Sequence, residues 1–153
     1  MPSETTEATR GDKVRQLSVF MENKVGRLAE IVKLFTDHNI HVVALNVFDT
    51  AEAAIIRLVV DDPERTRTVF AEHEIPFAEC GLVVVELSSS ASDLQAVLSA
   101  LLQAECNIHF TYSFLTRPRG KAALALHVDD EDVACHVLLQ AGFKLLSQRD
   151  ISR

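Results

Sequence analysis

The chain is short of most features that would announce a chemistry. Its three cysteines, Cys80, Cys106 and Cys135, lie far apart and form no CxxC pair. That argues against a disulfide-stapled secreted fold and for a reducing, cytoplasmic setting, with the thiols filling core space. Apolar strings such as Gly81 to Val85 fall far short of the roughly 18 to 20 residues of a membrane span. The segment Met1 to Asp12 is polar, with Glu4, Glu7 and several threonines. It reads as a flexible lead-in, not a signal peptide. Positive charge is also scarce. A net charge of -7 and a pI near 5.3 argue against a nucleic-acid partner, because the small basic groups cannot form a phosphate-tracking stripe.

Catalytic and metal signatures are missing as well. The six histidines, His38, His41, His73, His109, His127 and His136, form no HxH or HExxH. The cysteines are not spaced like zinc ligands, so no metal is expected. There is no Walker loop, nucleophile elbow or dinucleotide fingerprint, and Gly26 stands alone outside any GxGxxG run. Without a convergent nucleophile, base and oxyanion set, neither an enzyme nor a cofactor is expected.

What the chain does have is a repeat. The segment Gln16 to Phe48 recurs about 66 residues later as Leu82 to Phe114, with Leu17 matching Val83, Val19 matching Val85, Leu28 matching Leu94, Ile31 matching Val97 and Phe35 matching Leu101. A recurrence of this kind implies two modules. With 48% hydrophobic residues in 153, each module can build only a small core and gains stability by packing on the other. The expected organisation is a flexible segment 1–12, a first module 13–80 and a second module 81–153.

The order of elements follows from periodicity. Val14 to Met21 reads as a strand. Leu28, Ile31, Val32 and Phe35 follow helical spacing over Gly26 to His38. Strands follow at Ile40 to Phe48 and Ala53 to Val60. Asp61-Asp62-Pro63-Glu64 is a helix start, with either aspartate able to cap and Pro63 tolerated in the first turn. That helix should bury Thr66, Val69, Phe70 and part of His73, and Phe77 to Cys80 reads as a short edge strand. The second copy gives a strand Leu82 to Leu87 and a helix carrying Leu94, Val97, Leu98, Leu101 and Leu102. Ser92 could cap that helix, with Gln95 completing a capping box. Strands Asn107 to Leu115 and Lys121 to Val128 come next. A helix then starts at Asp129-Asp130-Glu131 and stops at Gly142, and Phe143 to Ser147 closes the module. The fold class is therefore α+β, two tandem βαββαβ modules, each a four-stranded antiparallel sheet with two helices on one face. Apolar residues on both phases of Val42 to Phe48 imply that the second sheet face is covered too, by another sheet or another chain.

Three segments carry a family resemblance. They are Asn23-Lys24-Val25-Gly26-Arg27-Leu28-Ala29-Glu30, Asn39-Ile40-His41-Val42 and Arg57-Leu58-Val59-Val60-Asp61-Asp62-Pro63-Glu64. The second copy keeps Asn107-Ile108 and Val128-Asp129-Asp130-Glu131. The chain resembles the ACT domain family of small ferredoxin-like regulatory modules, over about residues 14 to 150. Val25 departs from the family's usual proline. The resemblance implies a non-catalytic regulatory or sensor protein, with a free amino acid held between modules or subunits against the first strand–helix loop. The residues it singles out are Asn23, Lys24, Val25, Gly26, Arg27 and Leu28, with Asn46 and Tyr112 on strands that could line an interface.

Local chemistry suits that role. Gly26 tolerates unusual dihedrals, free N–H groups at a helix start attract a carboxylate, and Asn23 can donate or accept. In the second copy Ser92 replaces Gly26 and Ser89 replaces Asn23, so Ser89, Ser90 and Ser92 form a weaker second site. A homodimer is expected, since edge strands of small sheets are seldom left bare, and a partner enzyme is possible. The alternative is a structural or protein-interaction module that kept the fold and lost the ligand.

Overall fold

The computed structural model describes residues 12–22, 26–89 and 91–152. Asn23, Lys24, Val25 and Ser90 therefore lie outside the described residues. The elements are β1 (Val14–Glu22), α1 (Arg27–Asp37), β2 (Val42–Asp49), β3 (Ala53–Val60), α2 (Pro63–Glu72), β4 (Phe77–Leu87), α3 (Ala91–Gln103), β5 (Ile108–Ser113), β6 (Ala122–Val128), α4 (Glu131–Gln140), β7 (Leu145–Leu146) and α5 (Gln148–Ile151), with a 3-10 turn at Pro118–Gly120. This is the expected tandem ferredoxin-like arrangement. No described helix is long and apolar enough to cross a membrane.

Helix ends follow the same local chemistry in both copies. Asp62 Oδ1 accepts from Arg65 N at 3.1 Å, and Asp130 Oδ1 accepts from Val133 N at 3.1 Å. These side chains satisfy N–H groups the helix itself leaves free. At the other end of each of α1 to α4 stands a residue with positive φ: Asn39, Glu74, Glu105 and Gly142. The amide that follows bonds back to a carbonyl five residues earlier, as Ile40 N does to Phe35 O at 2.8 Å and Cys106 N to Leu101 O at 2.9 Å. That reversal turns each helix onto its next strand.

The strands form one seven-stranded sheet in the order β2-β3-β1-β4-β6-β5, with β7 also on β4. The sequence predicts separate strands at Phe77 to Cys80 and Leu82 to Leu87, but β4 runs unbroken through Gly81. Its first half pairs with β1, from Val19/Phe77 to Val14/Leu82, and its second half with β6, from Val83/Leu126 to Leu87/Ala122. A Cβ on Gly81 would meet Lys13 Cδ at 3.2 Å, so the glycine permits close approach and does not break the strand.

The sheet then folds round until β2 and β5 meet. Ala44 bridges Phe114, and Leu115 N donates to Val43 O at 2.8 Å. Part of the edge expected to be bare is thus covered within the chain. Between the two halves lies an apolar core that includes Val14, Val43, Ala44, Val59, Leu82, Val84, Tyr112, Ala123 and Ala125. The covered second face is thus explained by another sheet of the same chain. On the outer faces, Ile31, Phe35, Val69 and Phe70 bury against the first half, and Val97, Leu101, Ala134 and Leu138 against the second.

Three local expectations need correction. Helix α3 starts at Ala91, so Ser92 lies inside its first turn and is not its cap; Asp93 Oδ2 instead accepts from Ser89 N at 2.5 Å. Leu94, Leu98 and Leu102 share a helical face but are exposed, Leu102 by 77%, because none of the described elements covers that face. His73 is exposed too, its Nδ1 lying 3.0 Å from Val69 O. Helix α5, absent from the sequence reading, is set by a capping box between Ser147 and Asp150.

Candidate functional site

Gly26 starts α1 with φ 90°, a left-handed conformation that L side chains resist. Its carbonyl accepts the first helical bond, from Glu30 N at 3.0 Å, and among the described residues no side chain caps this end. Nothing lies within 4 Å of where a Cβ would stand. The glycine is therefore required by its dihedral, and the space in front of it is open.

Arg27 and Glu30, on the first turn of α1, form an exposed pair, Nη1 to Oε2 at 3.0 Å. Both line a cavity of about 480 Å³ together with Val19 to Glu22 from the end of β1 and Ile75-Pro76 from the α2–β4 turn. An exposed pair of this kind is held by little free energy. It can open to place a cation and an anion on one wall. Leu28 points the other way and packs against the Ile31/Phe35 core.

The second copy lacks this arrangement. Helix α3 begins at Ala91, two positions ahead of the residue that would correspond to Arg27, so the matched Ser92 is helical. Ser89 is exposed, and its amide is taken by Asp93.

Asn46 and Tyr112 stand elsewhere, in the space between the sheet halves. Asn46 is opposite Arg57, which is opposite Ser18, four residues before the end of β1. At a strand rise of about 3.3 Å per residue, that row is roughly 13 Å along the strand from the start of the loop. Asn46 Oδ1 accepts from Arg57 Nη1 at 3.1 Å. Tyr112 is buried, and its hydroxyl donates to Gln16 Oε1 at 2.7 Å. Burial pushes the phenol pKa well above its ordinary value, which keeps it a neutral donor.

Arg57, in the sequence only one residue of the Arg57 to Glu64 motif, lies on β3 between Ser18 and Asn46. Its guanidinium carbon lies 3.9 Å from the Phe110 ring centroid and 5.8 Å from that of Phe48. The signal available was its phase on β3: Arg57 shares a face with Val59, whereas Ile56 and Leu58 face the helices. Asp61 was read as a possible cap; it instead clamps His41. A further cavity, about 540 Å³, lies between the start of α2 and the C-terminal segment, lined by charged groups including Lys13, Arg15, Asp61 and Arg67. Arg15 and Arg67 there are both bonded to Glu79.

Comparison with known proteins agrees with this architecture. The family model for an ACT domain pair matches residues 12–153. A solved protein from Bacteroides thetaiotaomicron superposes with a TM-score of 0.82 at 26% identity, covering 92% of this chain and 96% of that one. The regulatory subunit of aspartate kinase from Thermus thermophilus, in its ligand-free form, gives 0.58 at 14% identity over 84% of this chain and 92% of its own. The corresponding subunit from Thermus flavus gives 0.54 at 14%, over 86% and 94%. At that identity the two aspartate kinase subunits speak for the fold alone. No curated protein sequence matches the chain. Over residues 12–153 the chain belongs to the ACT domain pair family, two ferredoxin-like modules in tandem.

Proposed function

We propose that this protein is a non-catalytic regulatory or sensor module that binds a free amino acid at the start of α1. The observation that carries the reading is the left-handed Gly26, with no side-chain cap among the described residues, next to a cavity lined by Arg27 and Glu30. A free amino acid carries one charge of each sign. Its carboxylate suits Arg27 and the free N–H groups of the helix start, where the dipole adds attraction. Its ammonium suits Glu30. Asn23, Lys24 and Val25 belong to the same loop and complete the proposed site. The second module, with its start already bonded, serves mainly to pack.

The regulatory half of the proposal rests on the family, whose fold the aspartate kinase subunits share. A cytoplasmic location and a role beside a partner enzyme are part of the same reading. A calorimetric screen of the common amino acids tests it: one or a few should bind saturably and raise the melting temperature as mass action requires. No response at millimolar concentration for any of them would count against it.

One observation favours the interaction-module reading as well. Leu94, Leu98 and Leu102 are all exposed along one face of α3, which fits a surface covered by a second copy in a homodimer. Sedimentation at micromolar concentration separates dimer from monomer.

A further inference from the structure

The inner face of the first sheet half is buried at one end and exposed at the other. At the buried end stand Val14, Ala44 and Val59, packed with Val84 beside the Ala44/Phe114 bridge. Moving outward along the strands, the next row is polar, with Gln16 held by Tyr112 and lying against Cys80. Beyond it come Ser18, Asn46 and Arg57, aligned across β1, β2 and β3. Last are Phe20, Ile55 and Phe48, again aligned across the same strands, with Phe20 57% and Phe48 52% exposed. The exposed end therefore has an apolar rim and a cation set behind it.

Among the described residues that cation meets no carboxylate. Arg15, Arg27, Arg67 and Arg119 each reach a carboxylate. Half-buried Arg57 meets only the Asn46 amide oxygen and the faces of Phe110 and Phe48 among the described residues. Partial burial of a guanidinium without an anion is costly, and this chain carries a net charge of -7. Asn46 and the two rings fix the plane of the guanidinium and leave its other N–H groups to be satisfied. A carboxylate is the group whose geometry matches such a fork.

His127 supplies an independent observation. Its ring stacks on Phe110, with centroids 4.7 Å apart and planes 10° from parallel, and its Nδ1 is buried with no hydrogen-bond partner among the described residues. A buried bare lone pair costs less than a buried unpaired N–H, so the proton belongs on Nε2. Burial, with His109 adding to it, holds the imidazole pKa below its ordinary value. His127 thus stands as a neutral imidazole against Phe110, on the opposite sheet half from Arg57.

We infer that the exposed end of this inner face is a second ligand site, which takes a small carboxylate bearing an apolar or aromatic group. The carboxylate pairs with Arg57, and the apolar group lies against Phe20, Ile55 and Phe48. This site shares Phe20 with the cavity beside Arg27, but its anion contact, Arg57, stands on β3 and not on the loop at Gly26.

The test is an amide-resolved NMR titration with phenylacetate and, separately, its neutral analogue phenylacetamide, at constant ionic strength. Phenylacetate should shift Asn46, Arg57, Phe110 and His127 saturably, and phenylacetamide should bind at least about tenfold more weakly, the factor set by about 1.4 kcal/mol. Arg57→Gln should lose phenylacetate binding by a similar factor, while Arg27→Gln retains it. If Arg57→Gln fails to fold, the acid-against-amide comparison on the unaltered protein still decides. Equal binding of acid and amide would overturn the proposal. So would shifts confined to Gly26–Leu28, or no shifts at millimolar phenylacetate.

Discussion

His41 and Asp61 are joined at two points: Asp61 Oδ1 accepts from the His41 backbone N–H at 2.8 Å, and Oδ2 lies 2.8 Å from His41 Nδ1. The second module repeats the device with Asn107 and Asp129, whose carboxylate accepts from Asn107 N at 3.1 Å and Nδ2 at 3.0 Å. In each case a carboxylate just past the third strand ties down the residue ahead of the second. Asp61 is buried, so Asp61→Ala removes a charge-assisted bond to a backbone donor and should cost about 2 kcal/mol. Asp129 is exposed, and water can replace much of what Asp129→Ala removes. Urea denaturation of the two variants should rank them in that order.

Gly26→Ala isolates the dihedral requirement at α1. The added methyl group meets no atom within 4 Å, so any loss of stability comes from holding an L residue at φ 90°. That strain is about 1 kcal/mol. Gly26→Asn should cost less, since asparagine enters the left-handed region more readily. Denaturant midpoints for the two variants check the order.

Glu79 should carry a pH-dependent share of stability. Arg67 bonds it through Nε at 3.1 and 3.0 Å and through Nη2 at 2.5 Å, and Arg15 adds a bond at 3.2 Å. The Arg67 bonds hold the carboxyl pKa below its ordinary value against the opposing effect of burial, and Arg15 adds to the lowering. A depressed carboxyl pKa means that this stabilisation is fully present above the ordinary value, near pH 4.3. It is lost as pH falls through the folded-state value. Glu79→Gln should therefore be less stable than the parent by about 1 kcal/mol at pH 7, solvent screening keeping the figure modest. The gap should close on acidification below about pH 4. Thermal melts from pH 3 to pH 7 measure it.

The elements were legible wherever local chemistry determines them. The aspartate caps at Asp62 and Asp130, the helical spacing of Ile31 and Phe35, and the 66-residue recurrence were all open to reading. What was missed depends on partners distant in sequence. Gly81 looked like a boundary because nothing local says that both halves of β4 lie in one strand. Leu94, Leu98 and Leu102 fit a buried stripe, but α3 is apolar on more than one face and periodicity does not say which face finds a sheet. Arg57 became notable only once Phe110, from the other module, was seen against it. Helix α5 had a readable signal, the Ser147 and Asp150 spacing of a capping box, which the strand reading of Phe143 to Ser147 obscured.

The central claim, that the start of α1 holds a free amino acid, is tested most directly by isothermal titration of the common amino acids into the intact protein and into Arg27→Gln. The account predicts saturable binding of at least one amino acid to the intact protein and a loss of about tenfold or more in Arg27→Gln, as expected when a charge-assisted contact is removed. No heat of binding for any amino acid at millimolar concentration, or binding that Arg27→Gln leaves unchanged, would contradict it.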